Sequence, residues 1–93
     1  MSVAIRIPTI LRTYTDGASE VTVEPAGGTL ASVLEALEAA APGIKARVLD
    51  DQGRLRRFVN VYADDEDVRF LAGLDTPTPA GTKVSIIPAV AGG

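Results

Sequence analysis

The chain has 93 residues, 46% of them apolar, and a formal charge of −3. That length makes one domain, with about 60–70% of the unfolded surface available for burial and no need of covalent staples. The absence of cysteine and histidine excludes disulfides, thiolate metal sites and the commonest general base, and the acidic balance argues against nucleic acid as a partner.

The opening MSVAIRIPT lacks the charged region and apolar run of a signal peptide. No stretch approaches the roughly 20 apolar residues of a membrane span. A soluble, cytoplasmic protein with no membrane partner is expected.

In VAIRI, residues 3–7, Val3, Ile5 and Ile7 alternate with Ala4 and Arg6, the period of a strand with one buried face. Pro8 ends that strand or places it at an edge. Asp16-Gly17 is the strongest hairpin signal, and Val21 and Val23 alternate beyond it, so an N-terminal β-hairpin is expected.

AGGTLASVLEALEAAAPG follows. Leu30, Val33, Leu34 and Leu37 recur at helical spacing, with Glu35 and Glu38 off the stripe. Thr29 is a candidate N-cap, its hydroxyl able to accept from a first-turn N–H. Pro42-Gly43 stops the helix by removing a donor and permitting positive φ. A second helical turn is expected through Ile44, Val48 and Leu49, closing at Asp51 to Gly53.

A strand is expected over residues 57–62, a turn at Asp64 to Asp67 and a short extended piece from Val68 to Phe70. After the loop GLDTPTPAG, the last strand carries Val84 and Ile86 on one face and Lys83, Ser85 and Ile87 on the other. Setting that strand parallel to the first lets the helix cover one side of a mixed sheet. The fold class is α+β, a β-grasp (ubiquitin-like) arrangement, with a body over 1–87 and a flexible tail over 88–93.

One face of the sheet is left open. Val59 and Val61 share a side, so Phe58, Asn60 and Tyr62 share the other. An unpaired buried amide costs about 1–3 kcal/mol, which places Asn60 and its companions on the open side. Ile87 joins them if the strands are neighbours, with Pro88 at the margin. Isolated apolar surface residues are common, but aromatics rimmed by polar groups are typical of interface centres. Phe58, Asn60, Tyr62, Ile87 and Pro88 are therefore the candidate partner docking surface.

The size, the element order and the ending PAVAGG resemble the ubiquitin-like sulfur carrier proteins, the group that includes ThiS and MoaD. The resemblance runs from Val3 to Gly93. RIPTILR, LRRFVNVYADDEDVR and IIPAVAGG are most similar to the CysO branch. What it implies is chemistry at the final carboxylate. An E1-like adenylating and sulfurtransferase enzyme would use ATP to activate Gly93, and a sulfur donor such as a persulfide would convert the acyl-adenylate to a thiocarboxylate. No cofactor would be bound by the carrier itself.

The CysO likeness further implies that a pyridoxal-phosphate-dependent cysteine synthase accepts the tail and that a metalloprotease releases the product. Thiamin thiazole or molybdopterin are alternative destinations for the sulfur. A ubiquitin-like modifier forming isopeptide bonds is an alternative of another class, and a purely non-covalent binding module is a third.

Residue chemistry agrees with that implication. A carboxylate is a poor electrophile and needs activation before sulfur can be attached. Residues 88–93 would span about 20 Å if extended. Gly92 and Gly93 have no Cβ to clash in a narrow channel, while Ala89, Val90 and Ala91 make a small apolar lead-in for insertion into an active site.

The acidic runs DDQG at 50–53 and DDED at 64–67 lack the distal glutamate of a calcium loop and read as solvated turns, with no metal. RLRR at 54–57 reads as a solvated approach to the strand, or second as a docking patch. AGGT at 26–29 lacks the lysine of a phosphate loop and reads as a turn and cap. No arrangement of side chains resembles a catalytic site, so the protein is expected to be a co-substrate and not an enzyme.

Overall fold

In β1, Val3–Arg6, the alternation foreseen from the sequence holds: Val3 and Ile5 are buried and Arg6 is exposed. The remaining elements of the computed structural model, which describes residues 2–88, are β2 (Glu20–Val23), α1 (Leu30–Ala40), α2 (Lys45–Val48), β3 (Val59–Ala63), β4 (Glu66–Asp67) and β5 (Lys83–Pro88). The five-stranded sheet runs β2-β1-β5-β3-β4. β5 pairs in parallel with β1 and antiparallel with β3. This is the expected β-grasp order, with the C-terminal strand at the centre.

Leu30, Val33, Leu34 and Leu37 are buried as one stripe of α1. They join Val3, Ile5, Val23, Val61, Val84 and Ile86 from the sheet, Ile44 just before α2 and Val48 within it, in a single core. Burial of each such side chain contributes on the order of 1.5–3 kcal/mol. That central packing fixes the position of β5, and with it the point from which residues 89–93 depart.

Several local details differ from expectation. β1 and β2 do pair antiparallel, but no two-residue turn joins them. A 3₁₀ helix, Thr9–Thr15, fills the connection, and Asp16-Gly17 closes that helix instead. Asp16 (φ 54°) and Gly17 (φ 89°) both take positive φ, and the Gly17 N–H donates to the Arg12 carbonyl at 2.8 Å. The missed signal is Leu11 with Tyr14, three residues apart and both inward, since i and i+3 eclipse in a 3₁₀ helix.

The Thr29 hydroxyl makes no cap bond. The 76–78 loop caps α1 with main chain: the Leu30 N–H donates to the Thr76 carbonyl at 3.0 Å, and the Thr78 N–H to the Gly28 carbonyl at 2.8 Å. Val68–Phe70 is a short 3₁₀ turn, not an extended piece.

Glu38, off the apolar stripe, has a structural role. Its carboxylate accepts from the Gly43 N–H and the Lys45 N–H, both at 2.9 Å. These donors hold its pKa below the ordinary glutamate value, and the side chain thereby ties the end of α1 to the start of α2.

Candidate functional site

Sheet alternation and register decide which predicted docking residues share a face. Asn60 lies opposite Ile87, and Tyr62 opposite Ser85, on the β3–β5 ladder. Arg6 lies opposite Ser85 on the β1–β5 ladder. Partners in register share a side, so Arg6, Asn60, Tyr62, Ser85 and Ile87 form one continuous surface facing away from α1. Ile87 stands 48% exposed within it. Asn60 is on the open side, as its amide requires.

Strand register does not by itself place the other two candidates, Phe58 and Pro88, on that surface. Phe58, at 58% exposure, precedes β3 and belongs to a turn closed by the Val59 N–H donating to the Arg56 carbonyl at 3.1 Å. Strand alternation therefore does not set its direction. Pro88 belongs to β5 and pairs with Val59, which puts it on the opposite side of the strand from Ile87. The body thus extends one residue further than expected.

The turn bearing Phe58 is held by a residue that sequence reasoning missed. Arg69 donates to the Asn60 side-chain oxygen at 2.7 Å, the Val59 carbonyl at 2.7 Å and the Arg56 carbonyl at 2.5 Å. Asp67 orients the stretch carrying it by accepting from the Arg69 N–H at 2.9 Å. A planar guanidinium with five donors suits such a convergent set of acceptors. No local motif announces this contact, because its partners lie 9 to 13 residues away.

DDQG behaves as a turn, whereas DDED is a turn only at Asp64 and Asp65, since Glu66 and Asp67 form β4. Asp50 accepts from the Gln52 N–H at 2.9 Å and the Arg54 N–H at 3.0 Å, bonds that lower its pKa, Arg54's foremost. Asp64 takes positive φ (56°) and accepts from the Lys83 N–H at 3.1 Å. In RLRR, Arg56 donates to the Ala46 carbonyl at 2.9 Å, anchoring that segment to α2.

Ala89, Val90, Ala91, Gly92 and Gly93, the candidate insertion tail and its reacting carbon, lie outside the described residues. What the structure fixes is their origin at Pro88, at the end of the central strand and beside the open face. No helix among the described residues is long and apolar enough to cross a membrane.

Comparison with known proteins matches this architecture and chain length. Sulfur carrier protein CysO of Mycobacterium tuberculosis is 50% identical over 95 residues, covering 100% of both chains. Its crystal structure superposes with a TM-score of 0.86 at 48% identity, over 95% of this chain and 99% of that one. A chain of the Amycolatopsis orientalis BexX/CysO complex gives a TM-score of 0.87 at 46% identity, over 98% and 99%. H. volcanii small archaeal modifier protein 1 gives 0.80 at 29% identity, over 96% and 98%. The model of the ThiS family matches residues 5–93, and the chain belongs to that family.

Proposed function

We propose that the protein is a sulfur carrier whose terminal glycine, Gly93, is converted to a thiocarboxylate that donates sulfur in cysteine formation. The observation that carries this reading is the full-length 50% identity to sulfur carrier protein CysO, joined to a fold in which Pro88, the residue before AVAGG, ends the central strand beside an open face.

The chemistry proceeds on the partner enzymes. The Gly93 carboxylate attacks the α-phosphorus of ATP, pyrophosphate leaves, and an acyl-adenylate forms. A persulfide sulfur attacks the acyl carbon and AMP departs, giving an acyl disulfide. A thiol of the activating enzyme then reduces the S–S bond and frees the thiocarboxylate. Its sulfur, ionised and soft, attacks an activated serine-derived carbon in a pyridoxal-phosphate-dependent cysteine synthase. A metalloprotease hydrolyses the product from the carrier and restores the carboxylate.

The carrier's part is binding and reach. The Arg6–Tyr62–Ile87 surface docks, and residues 89–93 extend at most about 16–18 Å into a partner's site. Docking contacts offset the ordering cost of the tail, about 1–2 kcal/mol per residue. That the A. orientalis relative was solved in a BexX/CysO complex supports docking on a partner protein.

The test is intact-mass spectrometry of the untagged chain after incubation with an E1-like enzyme, ATP and a sulfur donor. Exchange of one terminal oxygen for sulfur is expected, and no adduct under such conditions overturns the reading. The likeness to H. volcanii small archaeal modifier protein 1 favours a second reading, protein modification through the same activated glycine. Isopeptide conjugates in cell extract, without a free thiocarboxylate pool, would select it.

A further inference from the structure

The 3₁₀ helix between β1 and β2 forms a surface that the docking face alone does not account for. Its Ile10 is 68% exposed, although an isoleucine there contributes nothing to the core. Beside it runs a groove of about 500 Å³ that Ile10 and Pro8 share with Ile87 and Pro88, the last described residues of β5. A second, smaller hollow on the other side of Ile10 also reaches Pro88, with Tyr14 and Val59. Ile10 is therefore a ridge between two hollows that converge at Pro88, the residue that precedes 89–93.

Charge marks the first groove. Arg6 and Arg12 both line it. Arg12 spends its Nε on the Ile7 carbonyl at 3.2 Å, leaving the outer nitrogens of its guanidinium available. Arg6 faces Glu20 in register, yet among the described residues the only ion pair is Lys45 with Glu35. Among the described residues neither arginine pairs with a carboxylate, and the two flank one apolar groove on a chain whose net charge is −3. Shared residues Arg6, Ser85 and Ile87 make the groove continuous with the open sheet face.

We infer that this groove is a second docking element, taking from the activating enzyme an apolar side chain flanked by carboxylates. The occupant follows from complementarity: an apolar floor requires an apolar anchor, and two guanidinium groups with no carboxylate partner among the described residues select acidic neighbours. The inference rests on the sulfur-carrier reading and refines where its partner binds.

The test compares steady-state thiocarboxylate formation for the wild type, Ile10→Asp, Arg6→Ser and Phe70→Ser, using an E1-like enzyme that charges the wild type. Phe70, 87% exposed, does not line the groove and serves as control. KM for the carrier should rise about tenfold, equivalent to about 1.4 kcal/mol, for Ile10→Asp and several-fold for Arg6→Ser. Phe70→Ser should leave it unchanged, with kcat little altered in all three. The Arg6 effect should shrink with added salt. Equal KM for wild type, Ile10→Asp and Arg6→Ser overturns the groove while leaving the carrier function intact. An equal rise for Phe70→Ser overturns it too. Failure of any enzyme to charge the wild type removes the carrier reading itself, and the groove with it.

Discussion

Arg69 donates to the side-chain oxygen of Asn60 at 2.7 Å while the same guanidinium holds the carbonyls of Val59 and Arg56. One exposed cation thus closes the main chain on both sides of Phe58. Arg69→Ala removes these bonds and should destabilise the fold by about 1 kcal/mol, measurable by denaturant unfolding. Amide exchange should accelerate at residues 57–60 more than in α1. Arg69→Lys should not restore protection, because an ammonium cannot present a planar fork to separate acceptors. Unchanged exchange in that turn would show that the guanidinium holds nothing.

Gly43 follows α1 with φ of 97°. A Cβ there would stand 3.0 Å from Tyr14 Cε1 and 3.3 Å from Cδ1. Gly43→Ala combines backbone strain with displacement of the Tyr14 ring, whose hydroxyl accepts from Arg47 at 2.8 Å. A loss of about 1–2 kcal/mol is expected. A melting temperature equal to wild type would mean the loop re-forms around the new methyl.

Thr78 is fully buried and its hydroxyl has no hydrogen-bond partner among the described residues. Its N–H, bonded to Gly28, is independent of the side chain. Thr78→Val keeps the shape, retains that bond and removes an unsatisfied polar atom, so it should be neutral or stabilise by about 1 kcal/mol. Calorimetry decides this, and a clear fall in melting temperature would reveal a partner for the hydroxyl.

The order of the sheet was legible because burial imposes period: Val3, Ile5, Val84 and Ile86 alternate, and the α1 leucines recur at helical spacing. A strand's side can be read the same way, which is how Asn60 and Ile87 were placed together. Pro88, expected at the margin of that face, is one further residue of strand, which turns it to the other side of β5 from Ile87 while both line the same groove. Alternation has no force before a strand starts, so it leaves the direction of Phe58 open. The Thr9–Thr15 helix and the Arg69 bonds were not read, since each depends on contacts formed only when distant segments meet. The Asp-Gly hairpin signal was genuine turn chemistry used at a different place, the end of a 3₁₀ helix.

Glu38 provides a pH test. The Gly43 and Lys45 N–H groups favour its charged form and lower its pKa on folding. The folded chain therefore binds that proton more weakly than the unfolded chain. Its stabilising contribution is complete above the ordinary glutamate value and disappears as pH falls through the lowered folded value. Glu38→Gln should be less stable than wild type at neutral pH, with the difference narrowing on acidification through that window. Parallel curves from neutral to acid would contradict the assignment.

Docking and transfer should separate kinetically. Ile87 stands on the open face, where a change to Asp leaves folding within about 0.5 kcal/mol but weakens partner binding in ground state and transition state alike. For Ile87→Asp, KM for the carrier should therefore rise with kcat nearly unchanged. Gly92→Ala should also leave folding within about 0.5 kcal/mol. Its new Cβ, however, meets the wall of the channel as the reacting carbon is positioned, so kcat should fall. Small misplacements at a reacting centre cost up to about a hundredfold. Rapid-mixing measurement of adenylate formation, carrier concentration varied, distinguishes the two effects. A Gly92→Ala chain that reacts at the wild-type rate would mean that the final residues are not threaded through a narrow site, and the role proposed for the glycine pair would fall.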